Sequence, residues 1–352
     1  MRAAVYYGNQ DVRVASVPEP REPGPQEVLL RVRRASLCGT DVSEYLHGPL
    51  MIPLHDPHPV TGHRGPTILG HEFVGEVVAC GPEVGFREGQ RVVCGAGVWC
   101  GACPWCRAGR TNLCARYYTL GLHAHGGLAE FVCVPARTCV EVPETCSDEA
   151  AAIAQPTAVA VHALRRSGWA PGMSLVVIGT GGIGSLLVGV ARAWGGEAIV
   201  AVDVDPHRLE LAERVGASRR LQAGRDDVRG AVLRATRGEG AEVVVDSSGA
   251  EEVLEQATGL VRQGGTILQV GLPHRSPRVP VREMVLQEIC WITAVAHVCD
   301  QDLPEAIRIL ASTDLANRVV DRVIPLGEVV PRGLLALVHR EAAGKVVVDP
   351  SG

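Results

Sequence analysis

Cys100, Cys103, Cys106 and Cys114 form a Cys-x2-Cys-x2-Cys-x7-Cys array within Cys100-Gly101-Ala102-Cys103-Pro104-Trp105-Cys106. Gaps of two residues let successive sulfurs turn back onto one tetrahedral metal, and the intervening Gly101 and Pro104 suit a tight knuckle. Four sulfur ligands close the shell of a zinc ion, so the spacing predicts a site that holds a loop together and leaves no position open for chemistry. Reading the four as unrelated buried cysteines accounts for their apolar character but not for their spacing.

Two short segments carry the remaining metal chemistry, Cys38-Gly39-Thr40-Asp41 and Gly70-His71-Glu72-Phe73-Val74-Gly75. A catalytic zinc takes about three protein ligands from sulfur, imidazole and carboxylate, and keeps one position open. Cys38 and His71 supply two of those types, and Glu72 is adjacent. Either residue alone reads equally well as core. With 32 residues between them, spacing alone does not join them.

A third segment, Gly179-Thr180-Gly181-Gly182-Ile183-Gly184, reads G-x-G-x-x-G between a strand and a helix. The first glycine permits the turn, the second admits a pyrophosphate to the backbone, and the third lets helix and strand pack closely. The helix N-terminus then offers free N–H groups to the phosphates. Asp203 ends the next strand, 19 residues after Gly184, where its carboxylate is expected to accept the ribose hydroxyls. A 2′-phosphate would be repelled there, which favours NAD over NADP. Arg208 either lies along the adenosine or pairs with Asp203 or Asp205. The competing reading makes Asp203 the cap of a helix beginning at Pro206.

The elements that must position these residues fall into two textures. Residues 1 to about 150 alternate short β-branched runs (27–32, 73–78, 90–93, 129–134) with Gly/Pro turns, which predicts an irregular β-barrel-like domain. Helical texture begins at Asp148-Glu149-Ala150. From Ser174 strands at 175–178, 198–202, 243–245 and 266–270 alternate with helices at 183–194, 206–215 and 251–260, the pattern of a parallel, doubly wound sheet. The tail from 295 ends in a strand at 345–348 and is expected to rejoin the first domain. The expected division is a catalytic domain at 1–153 with its zinc lobe at 94–115, a dinucleotide domain at 154–294, and a return at 295–352.

Composition narrows the function classes. A chain of 352 residues with 46% hydrophobic and 21% charged residues is ordinary for a soluble protein and long enough for two domains. A net charge of -5 without a basic run argues against nucleic acid or an anionic membrane as partner. Lys345 is the sole lysine among 34 Lys and Arg. The apolar stretch 175–191 is broken by glycines at 179, 181, 182, 184 and 189, so it reads as strand, turn and helix, not as a membrane span. The start of the chain lacks a signal-peptide pattern, and twelve cysteines then point to metal ligands and reduced thiols in the cytoplasm.

In this order the segments resemble the zinc-dependent medium-chain dehydrogenase/reductase family, the alcohol, sorbitol and 2,3-butanediol dehydrogenase group. The likeness runs through Cys38-Gly39-Thr40-Asp41, the segment from Gly70, the four-cysteine lobe, His125-Gly126-Gly127-Leu128-Ala129-Glu130-Phe131, the glycine loop and the closing Gly344-Lys345-Val346-Val347-Val348-Asp349-Pro350. Glu44-Tyr45-Leu46-His47-Gly48-Pro49 and the long loop to Gly70 look most like butanediol dehydrogenases. The resemblance implies a GroES-like catalytic domain joined to a Rossmann domain. It further implies two zinc ions per chain, one catalytic and one structural, NAD, and a homo-oligomer, dimer or tetramer. Cys38 and His71 would bind the catalytic zinc, Thr40 would relay the alcohol proton, and Asp41 would orient His71. Glu72 would be an alternating ligand or the partner of a buried cation at the position of Lys345, and Gly271 and Leu272 would meet the nicotinamide.

Two departures stand out. Gln155 occupies a position where many polyol dehydrogenases carry Glu, and a neutral amide is a weaker zinc ligand. Ser43 stands where the group often has the histidine that completes a proton relay, so the relay ends elsewhere, with His47 one substitute. His55, His58 and His63 lie in the loop from His47 to Gly65 and read as a metal cluster or as a polar lid or subunit contact. Trp291 and His297 match positions that line the pocket or pair subunits. The expected activity interconverts a secondary alcohol (a vicinal diol, polyol or cyclitol) and its ketone by hydride transfer to NAD. The alternatives are a zinc-free NADPH-dependent enone or quinone reductase on the same fold, and a non-catalytic, zinc-stabilised binding protein.

Overall fold

The computed structural model describes residues 1–273 and 275–352, which divide into two compact units. The first comprises Met1–Ala158 and Val298–Gly352, the second Val159–His297.

In the first unit, alternating apolar residues build two sheets. Strands Arg2–Gly8, Asp11–Ser16 and Thr67–Ile68 make a three-stranded sheet. The larger, seven-stranded sheet is centred on Glu27–Ser36, which pairs antiparallel with Phe73–Cys80 and Phe131–Pro135. The closing strand Lys345–Asp349 pairs antiparallel with Glu27–Ser36 through Val347 opposite Ser36, which threads the chain's end into the first-built sheet. One apolar core, with Tyr6, Leu30, Phe73, Leu128 and Leu326 fully or almost fully buried, fills the space between the sheets. The irregular β-barrel-like domain expected from the short strands is present, in the GroES-like form that the resemblance implies. What the strand pattern hides is the helix Gly39–His47, which starts immediately after Cys38. A second helix, Cys299–Ser312, was masked by Pro304 in its interior.

The second unit is the doubly wound sheet. Six strands run parallel, in spatial order Arg219–Gln222, Ile199–Asp203, Leu175–Ile178, Ala241–Asp246, Val261–Gln269 and Cys290–Thr293. Chain order reverses between Leu175–Ile178 and Ala241–Asp246, and crevices outside the carboxyl ends of strands at such a reversal receive ligands in open α/β sheets. The apolar stretch 175–191 resolves into the strand Leu175–Ile178 and the helix Gly182–Ala193. No helix among the described residues is long and apolar enough to cross a membrane.

Candidate functional site

Two segments far apart in sequence bring Cys38, His71 and Glu72 together, with one donor atom of each within 4.8 Å of the others. Cys38 sits at the entry of the helix Gly39–His47, where its backbone N–H donates to Asp41 Oδ2 at 2.9 Å. Helix entry thus fixes the sulfur and places Thr40 Oγ1 3.7 Å from it. His71 and Glu72 lead into the strand Phe73–Cys80 from Gly70, whose φ of +97° is natural only for glycine. A Cβ on Gly70 would overlap Leu128, and one on Gly126 would overlap the Gly70 carbonyl. The glycines of the two segments therefore let the His125–Phe131 stretch pack directly on the backbone that aims His71.

Buried titratable groups wall this pocket. His71 Nδ1 faces Asp41 Oδ1 at 3.6 Å, both groups being buried. Glu72 is fully buried, accepts a short hydrogen bond from Ser36 Oγ, and pairs with Lys345 Nζ at 2.5 Å. Lys345 also donates to the Leu37 carbonyl at 2.7 Å. Burial pushes the Asp41 carboxyl up, against the pull of His71 and of the Cys38 N–H. Burial opposes charge on His71, yet Asp41, Cys38 and Glu72 together push it up to about 10. For Lys345, burial again works against charge, and Glu72, Cys38 and Asp41 together outweigh it. Asp41 Oδ1, His71 Nδ1 and Glu72 Oε1 are buried without a hydrogen-bond partner among the described residues. Such a donor set, with sulfur, imidazole and carboxylate converging, fits a divalent cation of borderline softness. An imidazole held from behind by a carboxylate is the usual support of a ligating histidine.

Gln155 stands half-buried in the first turn of the helix Ala154–Ser167. Ser43 is half-buried on the helix after Cys38, and His47 is exposed at its end. His55, His58 and His63 do not gather into a metal cluster among the described residues. Instead His58 stacks on His123 with ring centres 4.5 Å apart, and His63 meets His125 edge-on at 4.7 Å.

The four-cysteine lobe is a separate pocket. Cys100, Cys103, Cys106 and Cys114 place their sulfurs within 4.8 Å of one another. Cys103 and Cys106 lie 3.5 Å apart and Cys100 and Cys106 4.0 Å, close to the edge of a tetrahedron about zinc, ~3.8 Å for Zn–S bonds of ~2.3 Å. The chain turns at Gly101 (φ +77°) into the four-residue helix Pro104–Arg107. Backbone N–H groups aim at the sulfurs: Cys100 N and Arg116 N approach Cys114 Sγ at 3.2 and 3.3 Å, and Ala102 N approaches Cys100 Sγ at 3.5 Å. Backbone N–H donation holds the Cys103 thiol down at about 6, whereas burial pushes Cys106 up to about 12. A group of thiols of which some ionise readily and all point inward fits the closed site that the spacing predicts.

In the second unit the glycine loop follows Leu175–Ile178. Gly179 has φ +83°, and a Cβ on Gly184 would overlap the Gly179 carbonyl. At Gly181, which caps Gly182–Ala193, the nearest atoms to an added Cβ belong to the Arg208 guanidinium, 3.7 Å away. Backbone there is open to a ligand, with a cation beside it. Arg208 makes no ion pair with Asp203 or Asp205 among the described residues. Asp203 is buried; its Oδ2 accepts from the Thr180 N–H at 2.6 Å and its Oδ1 from the Asp205 N–H at 2.9 Å. The cap of Pro206–Val215 is Asp205, which accepts from the His207 N–H at 2.9 Å. Asp203 therefore ties the strand end to the loop and is not the cap. Gly271 packs against Gly249, and Leu272 is exposed.

Three supporting residues escaped the sequence reading. Ser36 completes the hydrogen bonding of Glu72. Glu44, fully buried, holds the chain after the helix by accepting from the Leu50 and Met51 N–H groups at 3.0 and 2.5 Å. Asp246 gathers the loops beside Gly179, accepting from Ser248 N at 2.8 Å, Gly249 N at 3.2 Å and Gln269 Nε2 at 2.7 Å. An acidic residue closing a strand was a usable signal for Asp246; nothing local marks Ser36.

Comparison with known proteins adds an independent line. Residues 24–144 match the alcohol dehydrogenase GroES-like domain, and residues 182–312 match the zinc-binding dehydrogenase domain. The chain is 32% identical over 356 residues to the (R,R)-butanediol dehydrogenase of Bacillus subtilis (strain 168), covering 100% of both. It is 31% identical to the sorbitol dehydrogenase of the same organism, covering 78% of this chain and 76% of that one. The crystal structure of 2R,3R-butanediol dehydrogenase from Bacillus subtilis superposes with a TM-score of 0.91 at 29% identity, covering 99% of each chain.

Proposed function

The chain belongs to the zinc-dependent medium-chain dehydrogenase/reductase family, near its butanediol and sorbitol branch, and on that premise we propose that it oxidises a vicinal diol or polyol at a secondary carbinol, using NAD. The observation that carries this reading is the convergence of Cys38, His71 and Glu72 in a buried pocket with the Thr40 hydroxyl beside the sulfur. Cys38 and His71 would hold a catalytic zinc, with Glu72 or Gln155 completing the set, and Cys100, Cys103, Cys106 and Cys114 a structural one. When bound, the catalytic zinc supplies a Lewis acid for the substrate oxygen, and the dinucleotide supplies the hydride acceptor.

The remaining work falls to the chain's own residues. Asp41, behind His71 Nδ1, fixes the tautomer and orientation of the ring. Thr40 accepts the substrate hydroxyl proton and passes it outward, a general-base relay that continues past the half-buried Ser43. Lys345 pairs with Glu72 at the edge of the pocket and holds that side chain in place. Gly179, Gly181, Gly182, Ile183 and Gly184 would take the pyrophosphate on their backbone, with Arg208 alongside it, and Asp203 would disfavour a 2′-phosphate. Gly271 and Leu272 would border the nicotinamide.

The edge strand Cys290–Thr293 exposes Trp291, and Val285 and Leu286 beside it are exposed too, which supports a homo-oligomer joined along this edge. Twelve free thiols support a reducing, cytoplasmic setting. The test is initial rates on a panel of vicinal diols, polyols and primary alcohols with each cofactor. The proposal expects turnover of diols or polyols with NAD at least about tenfold above NADP and above primary alcohols. Preference for primary alcohols, or for NADPH with an enone, would contradict it.

A further inference from the structure

Four buried cysteines, Cys94, Cys139, Cys146 and Cys299, lie outside both metal pockets, and two of them face each other across a sheet. Cys94 and Cys139 are register partners on the antiparallel strands Arg91–Cys94 and Cys139–Glu141. The Gly95 N–H donates to the Thr138 carbonyl at 2.8 Å, and the Val142 N–H donates to the Arg91 carbonyl at 2.9 Å. Because the ladder alternates, these bonds make Cys94 and Cys139 a non-hydrogen-bonded pair, the kind whose Cα atoms stand about 4.5 Å apart with side chains on one face. That spacing lies within the ~4.4–6.8 Å that a disulfide spans. Cys94 Sγ accepts the Ala96 N–H at 3.3 Å, a contact that favours a thiolate at Cys94, and lies 3.3 Å from Thr138 Oγ1, whose own proton goes to the Pro135 carbonyl at 2.7 Å. A further thiol, Cys299, is turned to the Thr138 carbonyl at 3.5 Å.

We propose that Cys94 and Cys139 form a redox site that closes to a cross-strand disulfide when the protein meets a peroxide. The Cys94 thiolate attacks the O–O bond of hydrogen peroxide, giving a sulfenic acid at Cys94 and releasing hydroxide, which takes up the thiol proton as water. The Cys139 sulfur then attacks the Cys94 sulfur; the S–S bond forms, the S–O bond breaks, and a second water leaves. Two thiols are oxidised and one peroxide is reduced. Both cysteines are buried, so a small peroxide fits the route and a bulky disulfide reagent does not. The bond would fasten the two ends of the segment 94–139, which carries the four-cysteine lobe.

The test oxidises the full-length, zinc-loaded protein with hydrogen peroxide, then maps its thiols by alkylation under denaturing conditions and peptide fragmentation. The expected result is a loss of two hydrogens in mass, a Cys94–Cys139 link at fragment level, and reversal by dithiothreitol. In Cys139→Ser the link disappears and Cys94 accumulates as sulfenic or sulfinic acid, whereas Cys146→Ser retains the link. A wild-type map showing Cys94 and Cys139 still alkylatable after the lobe cysteines have been oxidised, or Cys94 joined to Cys299, overturns the proposal. That map requires no variant to fold.

Discussion

The two metal pockets of the first unit share cysteine as a ligand type and little else. The lobe draws four sulfurs from a single stretch of chain, braced by backbone N–H groups and partly open to solvent. The Cys38 pocket draws its donors from separate segments, is walled by buried charge, and leaves three buried polar atoms unpartnered among the described residues. Four like donors that satisfy one another make a fastener. Three unlike donors held by Asp41, Lys345 and Ser36 make a site with capacity left over, and unsatisfied capacity is what chemistry needs.

The contrast can be broken from either side. Cys38→Ser should lower kcat by about three orders of magnitude or more while leaving the thermal midpoint within a few degrees, because it removes polarisation of the reacting oxygen; steady-state rates and calorimetry check both. Thr40→Val should cost about 10²–10⁴ in kcat, the usual contribution of a proton-transfer group, with Thr40→Ser recovering most of it. Lys345→Met leaves Glu72 buried and uncompensated, so unfolding by denaturant should show a loss of about 3–5 kcal/mol. Cys103→Ser should act in the opposite sense to Cys38→Ser, lowering the thermal midpoint by about 10 °C or more while kcat per folded molecule falls far less.

The smallest expected effect concerns pH. Burial, aided by His58, holds His123 down at about 4, below its ordinary value of 6.5. The unfolded chain therefore binds a proton that the folded chain refuses. Stability is complete above pH 6.5 and falls as pH drops from 6.5 towards 4. Thermal midpoints across that window should decline less steeply in His123→Asn.

What could be read from the sequence divides along the same line. The lobe was legible because all its ligands and turns are local, and the glycine loop because Gly179 and Gly184 carry their reasons within a few residues. The alternating strands and helices of the second unit revealed a parallel sheet, although Arg219–Gln222 and Cys290–Thr293, short and rich in polar or exposed residues, escaped notice. The support of the Cys38 pocket was legible only through the family resemblance, which supplied Asp41 and Lys345 but not Ser36. Ser36 meets Glu72 across 36 residues, Lys345 reaches Leu37 across 308, and no local periodicity encodes either contact. Asp203 was legible in type but not in state, since its bonds to Thr180 and Asp205 depend on how the loop closes.

The central claim is that the sulfur at Cys38 belongs to an open, reactive metal centre distinct from the lobe. Zinc content measured by mass spectrometry on desalted wild-type protein and Cys38→Ser, alongside NAD-dependent diol turnover, tests it directly. The account predicts two zinc ions per chain in the wild type, and one in the variant with turnover abolished. A single zinc in the wild type, or unchanged turnover in the variant, would contradict it.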